Sequence, residues 1–196
     1  MDLMLWLNSC HNQAWDEIMW YASKPLIWIP AYLYVLYLCI AYYRKQTWYI
    51  ILFTAVLILA TDTISVHLFK NTIMRLRPSH EPLLEGMLHH VRDYKGGMYG
   101  FISSHACNYF GLAVFFSVIF ARNLRFFTLF SLLIAAIISY SRIYLGVHYP
   151  GDILGGAIVG SAAGFGLGKL FLHFSKYLNS RKPKFPSLPA EAENNQ

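Results

Sequence analysis

The stretch SRIYLGVHYPGD, residues 141–152, places four chemically active side chains between two long apolar segments. They are Ser141, Arg142, His148 and Asp152. Arginine is a planar, permanently charged donor that can bind phosphate oxygens in pairs. Histidine can act as a nucleophile or carry a proton near neutral pH, and an aspartate four residues later can fix its tautomer. The stretch fits an anion-binding catalytic site, and it equally fits a loop whose arginine meets lipid headgroups and whose aspartate caps the next helix.

The composition of the whole chain indicates a membrane protein. Of its 196 residues, 56% are hydrophobic and only 13% are charged, and the mean hydropathy is +0.39. Soluble domains carry roughly 25% charged residues. The length allows one domain, which we assign to residues 1–178, followed by a polar tail at 179–196 that we expect to be disordered and cytoplasmic. The three cysteines are too few and too scattered for a disulfide framework.

Five apolar runs are close to the ~20 residues that a helix needs to cross a bilayer. They cover residues 25–43, 48–69, 105–121, 124–140 and 153–174. The fifth run is rich in glycine and alanine, which let helix backbones approach closely in lipid, so we expect it at the centre of the bundle. The chain is therefore predicted to be an all-α, polytopic membrane helical bundle.

Residues 1–23 are apolar but carry several polar side chains. The apolar residues follow helical spacing, and the three tryptophans favour the headgroup zone. This pattern predicts an N-terminal helix that lies in the membrane interface. The alternative is a first span that tolerates its polar groups.

Two further segments carry candidate functional residues. In KNTIMRLRP, residues 70–78, Lys70 and Arg77 stand close to two helical turns apart, so they are predicted to share a helix face that ends at Pro78. They could equally be basic residues that snorkel at a helix end. In GGMYGFISSHACNYF, residues 96–110, two serines and a histidine begin the third span, where free N–H groups favour an anion. Serine is also a common helix cap.

Together, the three segments resemble the signature of the type 2 phosphatidic acid phosphatase (PAP2) family, which shares its core with the vanadium-dependent haloperoxidases. The family pattern reads K-x6-R-P, then P-S-G-H, then S-R-x5-H-x3-D. The first motif corresponds to Lys70, Arg77 and Pro78, and the third to Ser141, Arg142, His148 and Asp152. In the middle motif Ile102 replaces proline and Ser104 replaces glycine, while Ser103 and His105 remain.

The resemblance implies a phosphohistidine mechanism. His148 would attack phosphorus, while Asp152 holds the far ring nitrogen and steadies the positive imidazole. His105 would donate a proton to the leaving oxygen and then activate the water that releases phosphate.

The resemblance also implies a set of phosphate-binding residues. They are Lys70, Arg77, Arg142, Ser103 and Ser104, and with backbone amides they would surround the equatorial oxygens of the transition state. No metal or other cofactor is expected, because the cations take the place that magnesium has in other phosphatases. The histidines and the aspartate could instead be metal ligands, but the surrounding cations would repel a metal.

Three functions are compatible with these residues. The first is an integral membrane phosphatase that acts on a lipid phosphate or diphosphate. The second is a haloperoxidase that holds vanadate in the same site, although the membrane spans count against it. The third is a non-catalytic lipid-phosphate binder or carrier, which would have no need of a nucleophile, an orienting carboxylate and an acid.

The amino-acid sequence of the loop at residues 79–100 looks similar to that of small bacterial family members assigned to undecaprenyl diphosphate or lipid A phosphate. The same is true of the variant second motif, Ser103-Ser104-His105. Phosphatidylglycerol phosphate and phosphatidic acid remain possible substrates. The expected partners are thus a membrane lipid phosphate and the bilayer, without nucleic acid. The loop is expected to cover the pocket.

Orientation follows from the lysines and arginines. Once Lys70, Arg77 and Arg142 are set aside as site residues, the loops on the side of the carboxyl tail carry the larger share of positive charge. The positive-inside rule then predicts a multi-pass protein of the bacterial inner membrane whose active site faces the periplasm or cell exterior.

Asp62 lies inside the second predicted span. A carboxylate at that depth is costly and needs a partner inside the bundle. We expect it to accept hydrogen bonds from a neighbouring helix, for example from hydroxyls, and to have a structural role.

Overall fold

The computed structural model describes residues 2–121, 124 and 126–180, and these residues form a helical bundle without β-strands. The prediction of an all-α membrane bundle is confirmed. The last helix continues to Ser180, so most of the predicted tail lies outside the described residues, and the domain boundary stays a prediction.

The N-terminal segment forms two helices where one was predicted. They are α1 (Asp2–Ser9) and α2 (Gln13–Ala22). The chain breaks between them because Asn12 adopts an extended backbone and its side chain accepts a hydrogen bond from the Trp15 amide. Asparagine is a preferred N-cap for this reason, and helical periodicity alone does not reveal such a break.

The next apolar stretch contains two helices, α3 (Ile29–Tyr43) and α4 (Thr47–Thr63), joined by a 3-10 turn at Arg44–Gln46. The α4 helix continues as a π-helix over Ile64–Lys70 and then as a single turn, α5 (Asn71–Ile73).

Helicity ends at Met74, which has the left-handed φ of 49°. The prediction that Lys70 and Arg77 share a helix face is therefore wrong. Lys70 ends the π-helical stretch, whereas Arg77 lies on an extended segment whose neighbour Leu76 pairs with Tyr99. A π-helix and a left-handed residue both shift the register that an ideal helical repeat assumes.

Three helices complete the described bundle: α6 (Ser104–Phe120), α7 (Phe127–Tyr144) and α8 (Pro150–Ser180). Each of the five predicted spans corresponds to one of the helices α3, α4, α6, α7 and α8, with shifted ends. By length and composition, three continuous helical runs in the described chain could cross a membrane: Pro25–Ile73, which contains α3 and α4, Phe127–Tyr144 and Pro150–Ser180. The α6 helix is apolar but shorter.

Helix α8 packs closely against α6 along a stripe of buried glycines at every fourth position: Gly156, Gly160, Gly164 and Gly168. A Cβ atom on Gly160 would clash with the Cys107 carbonyl oxygen, and one on Gly164 would clash with that of Gly111. Small residues allow this close approach. The contact fixes the start of α6 beside the start of α8, where the candidate site residues lie.

Candidate active site

The carboxylate of Asp152 connects three segments of the chain. It is fully buried in the first turn of α8. Its Oδ2 accepts a hydrogen bond of 2.9 Å from the Tyr149 amide and lies 3.4 Å from His148 Nδ1. Its Oδ1 accepts a hydrogen bond of 3.1 Å from Arg75. The sequence allowed Asp152 to be either a helix cap or the partner of His148. The structure shows both contacts, since Asp152 caps its own helix and also contacts the histidine.

His148 lies in the loop between α7 and α8 and is buried. Burial lowers the pKa of His148 well below its usual value, and the charges of Arg77, Arg142 and Lys70 act in the same direction. A hydrogen bond with the Gly100 backbone opposes this shift in part. The ring is therefore held as neutral imidazole, the form in which a ring nitrogen can attack phosphorus.

Arg142 lies in the last turn of α7 and is buried. One of its terminal nitrogens donates a 3.2 Å hydrogen bond to the Tyr94 hydroxyl, while its Nε has no protein partner within the described part of the chain. Burial tends to raise the pKa of Tyr94, but the charge and hydrogen bond of Arg142, together with the charges of Arg77 and Lys24, lower that pKa overall. A buried guanidinium with a free N–H is suited to binding an anion.

Lys70 and Arg77 face the same space from the α4 side. Lys70 Nζ donates a 2.6 Å hydrogen bond to the Ser104 hydroxyl, which also bonds to Ser65 at 2.7 Å. Arg77 Nε donates to the Tyr99 carbonyl at 3.1 Å. Lys70, Arg77 and Arg142 interact electrostatically with one another, so three cations share this space.

The predicted serines at the start of α6 have different surroundings. Ser103 is fully buried and caps the helix, accepting a 3.4 Å hydrogen bond from the Ala106 amide. The Ser103 amide donates to the Asp152 carbonyl at 3.0 Å, which joins the second motif to the third. Ser104, by contrast, is half-buried and presents its hydroxyl to Lys70.

His105 lies one residue further into α6 and is half-buried. It interacts electrostatically with Arg142, His148, Arg77 and Lys70, so it faces the group of cations and the second histidine. The structure thus brings the predicted site residues from three distant segments into one cluster. The chemical role of each residue stays a prediction.

Two residues of this cluster are absent from the sequence-based prediction. Arg75 contacts Asp152, and Tyr94 contacts Arg142. Arg75 lies inside the segment KNTIMRLRP, two residues before Arg77. This closeness to a predicted site residue is the feature of the sequence that could have identified it. Tyr94 lies in a long loop where an aromatic residue has no distinctive spacing.

The N-terminal helices hold the 79–100 loop against the end of α7. The Asn8 side chain accepts from the His89 amide at 2.7 Å and donates to the Tyr144 carbonyl at 2.8 Å. Asp16 accepts from the Tyr144 hydroxyl at 2.7 Å and contacts the His89 ring at 2.9 Å. Arg92 donates two hydrogen bonds to Glu17. Several polar loop residues are therefore engaged with α1 and α2, while Tyr94 reaches the cluster.

Asp62 accepts a 2.9 Å hydrogen bond from the Asn108 side chain on α6. The Asn108 oxygen in turn accepts from Thr61 at 2.6 Å. The expected acceptance of a hydrogen bond from a neighbouring helix is thus present, with an amide as the donor in place of hydroxyls.

A cavity of about 720 Å³ lies between α3, α4, α6 and α7. Its walls are mainly apolar, with Ala31, Ile58 and Leu112 among them. Ser104 and His105 also line it, so the cavity borders the cluster of cations and histidines at these two residues. As for metal binding, the described residues contain no group of three or more His, Cys, Asp and Glu side chains arranged to hold an ion.

Two curated proteins are similar to the chain over nearly its whole length. The lipid A 4'-phosphatase of Bacteroides thetaiotaomicron is 35% identical over 96% of this chain and 82% of its own. The lipid A 4'-phosphatase of Porphyromonas gingivalis is 34% identical over 95% of this chain and 79% of its own.

Two crystal structures share the fold. LpxE of Aquifex aeolicus superposes with a TM-score of 0.62 and 20% identity, covering 86% of this chain and 93% of its own. A transmembrane PAP2-type phosphatidylglycerolphosphate phosphatase from Bacillus subtilis superposes with a TM-score of 0.57 and 21% identity. This match covers 94% of this chain and 86% of its own. The sequence model of the PAP2 superfamily matches residues 48–180, which is more than half of the chain. The chain belongs to the PAP2 superfamily.

Proposed function

We propose that this protein is an integral membrane phosphatase that removes a phosphate group from a lipid through a phosphohistidine intermediate. One observation carries the proposal: the cation cluster and the apolar cavity share Ser104 and His105. A molecule bound across this boundary would place an anionic group among the cations and an apolar chain among the helices. A phosphorylated lipid has both parts.

In the first step, His148 Nε2 attacks phosphorus while its Nδ1 faces Asp152. The new N–P bond forms as the bond from phosphorus to the lipid oxygen breaks. His105 donates a proton to that oxygen, which leaves as the lipid alcohol. Asp152 stabilises the positive charge that develops on the imidazole.

In the second step, His105, now neutral, accepts a proton from a water molecule, whose oxygen attacks the phosphohistidine. The N–P bond breaks, inorganic phosphate forms, and its departure returns both histidines to their starting states. In both steps, Lys70, Arg77 and Arg142 balance the charge on the three equatorial oxygens. The neutral state of buried His148 provides the nucleophilic lone pair.

The cations also support metal-independent catalysis. Three positive side chains already surround the space that a phosphate would occupy, and they would repel a divalent ion. Treatment with EDTA should therefore leave turnover unchanged. Loss of activity on chelation, with recovery on addition of magnesium, would contradict this part of the proposal.

We propose a lipid A-type phosphate monoester as the substrate. The support is the similarity, over nearly the full chain, to two proteins named lipid A 4'-phosphatase. Undecaprenyl diphosphate and phosphatidylglycerol phosphate are the alternative substrates, and their rates of hydrolysis should be compared directly with that of lipid A. The proposed location is a bacterial inner membrane, with the site facing the periplasm or exterior.

The cavity permits a test with a matched control on one helix. Ala31 lines the cavity, whereas Ala41 is exposed on the same helix, α3, outside it. Ala31→Phe should raise the KM for a long-chain lipid phosphate about tenfold, because excluding two chain methylenes from apolar surface costs roughly 1.6 kcal/mol. Ala41→Phe should leave that KM unchanged. Both variants should hydrolyse a short, water-soluble phosphomonoester at the wild-type rate.

Phosphate release from purified protein in detergent would be measured for lipid A, undecaprenyl diphosphate and phosphatidylglycerol phosphate. We expect the wild-type protein to release phosphate and His148→Ala to release none. A wild-type protein that hydrolyses none of these lipids would overturn the proposed function. Equal KM values for Ala31→Phe and Ala41→Phe would overturn the assignment of the cavity to the lipid chain.

A further inference from the structure

The guanidinium of Arg75 makes a specific contact with the carboxylate that faces His148. Its Nη1 donates a 3.1 Å hydrogen bond to Asp152 Oδ1, on the opposite side of the carboxylate from His148. The Arg75 side chain is 43% exposed, while that of Asp152 is fully buried. One end of this ion pair is therefore exposed, and the other is buried beside His148.

Both the backbone and the side chain of Arg75 are held in place. Its carbonyl accepts a 2.9 Å hydrogen bond from the Gly100 amide, and the next residue, Leu76, pairs with Tyr99. Its guanidinium stacks over the Tyr149 ring at 4.2 Å. The Tyr149 amide binds the other oxygen of Asp152 at 2.9 Å. Arg75 and Tyr149 thus enclose the carboxylate from two sides.

We propose that Arg75 is a positioning residue, which holds Asp152 ionised and correctly oriented against His148 throughout the reaction. This inference rests on the proposed phosphatase function and adds a residue that the motif resemblance does not assign. It also assigns different roles to the two arginines of one segment, because Arg77 belongs to the phosphate-binding cluster, whereas Arg75 contacts the orienting carboxylate.

The charges around Asp152 explain why a dedicated partner is needed. Arg75, Arg77 and Lys70 act on it electrostatically, and His148 and Tyr149 are its other neighbours. Arg77 and Lys70 face the space for phosphate, so a bound dianion would offset their charge. His148 is neutral in the resting state. The Arg75 contact is separate from the phosphate space, and its charge therefore continues to act on Asp152 when substrate binds.

Replacement of Arg75 should change the pH dependence of turnover. Without the guanidinium, Asp152 would be protonated more readily, and a neutral carboxyl stabilises the phosphorylated imidazolium poorly. We expect Arg75→Met to lower kcat about tenfold, by analogy with the loss of a partner that orients a metal-bound histidine. The acid limb of the kcat profile should move to higher pH by about one unit. Arg75→Lys keeps the charge and should restore the wild-type limb.

Arg92→Met is the matched control. Arg92 is 47% exposed, pairs with Glu17 and stacks over the Trp20 ring, but it has no contact with Asp152. Its loss should leave the acid limb in place. A general packing defect in Arg75→Met would lower kcat equally at all pH values, and its melting temperature would reveal that defect directly.

The experiment measures kcat against pH for the wild type, Arg75→Met, Arg75→Lys and Arg92→Met, with a phosphorylated lipid in detergent. An acid limb that moves only in Arg75→Met supports the inference. An unmoved limb in Arg75→Met, with an active wild-type enzyme, overturns it while leaving the proposed function intact. An inactive wild-type protein overturns the proposed function instead.

Discussion

Lys70 Nζ donates a 2.6 Å hydrogen bond to the hydroxyl of Ser104, the residue that replaces glycine in the family pattern. The same hydroxyl bonds to Ser65 at 2.7 Å. The substituted side chain is therefore part of a hydrogen-bond network beside the cations. It connects two residues of the π-helical stretch, Ser65 and Lys70, to the start of α6, where His105 lies.

This contact predicts the effect of Ser104→Ala. Lys70 would keep its charge but lose a hydrogen bond that involves a charged donor, a type of bond that contributes about 1.5–3 kcal/mol. Because water can replace part of this bond, we expect kcat/KM to fall about tenfold, and vanadate to inhibit correspondingly less tightly. Lys70→Met should cost more, since it removes the charge itself. An equal loss in both variants would show that the hydroxyl, rather than the cation, binds phosphate.

The glycine stripe predicts a second, structural result. Gly160→Ala would drive a Cβ into the Cys107 carbonyl, and neither backbone can move without separating α8 from α6. We expect a loss of about 1–3 kcal/mol in the free energy of unfolding, as for other overpacked sites. Gly166→Ala is the matched control, because a Cβ there has no neighbour within 4 Å. Unfolding in SDS would compare the two, and equal stabilities would contradict the close packing.

Burial of His148 predicts a pH dependence of stability. Its pKa is lowered well below 6.5 in the folded protein, so in mildly acidic solution the unfolded chain binds a proton that the folded chain does not. Stability should therefore be complete above about pH 6.5 and should fall as the pH drops below that value. His148→Gln should show a shallower decline in melting temperature between pH 7.5 and 5.5. Identical declines would mean that His148 is not held neutral.

The Asp62–Asn108 pair predicts a separation of stability from activity. Asp62→Asn still offers an oxygen to the Asn108 amide, so most of the activity should remain while the melting temperature falls. Asp62→Leu removes the acceptor and should destabilise the protein further. A stable but inactive Asp62→Asn protein would place this carboxylate in the reaction.

Much of the bundle could be predicted from the sequence because apolar length and glycine content are local properties. The five runs correspond to helices, and the stripe on α8 indicated a central packing role. The register of Lys70 against Arg77 was not predicted correctly. One π-helical stretch and one left-handed residue, Met74, alter it, and neither has a compositional signal.

The site residues differ in how readily the sequence shows them. His148 and Asp152 are four residues apart, so their proximity follows from local spacing. Arg75 and Tyr94 reach the site only through tertiary contacts, with partners 77 and 48 residues away in sequence. Charged and aromatic loop residues without periodicity resemble ordinary surface residues, and only the fold shows which of them lie at the site.

The central claim, that His148 carries the phosphate, can be tested directly by trapping the phosphoenzyme. A lipid substrate labelled with ³²P would be mixed with the enzyme and quenched in alkali, which preserves the acid-labile phosphohistidine bond. We expect label on His148 in the wild type. With a substrate that has a good leaving group, label should accumulate in His105→Ala, because water activation is slowed. No label should appear in His148→Ala. Labelled protein, or near-normal turnover, in His148→Ala would contradict the account.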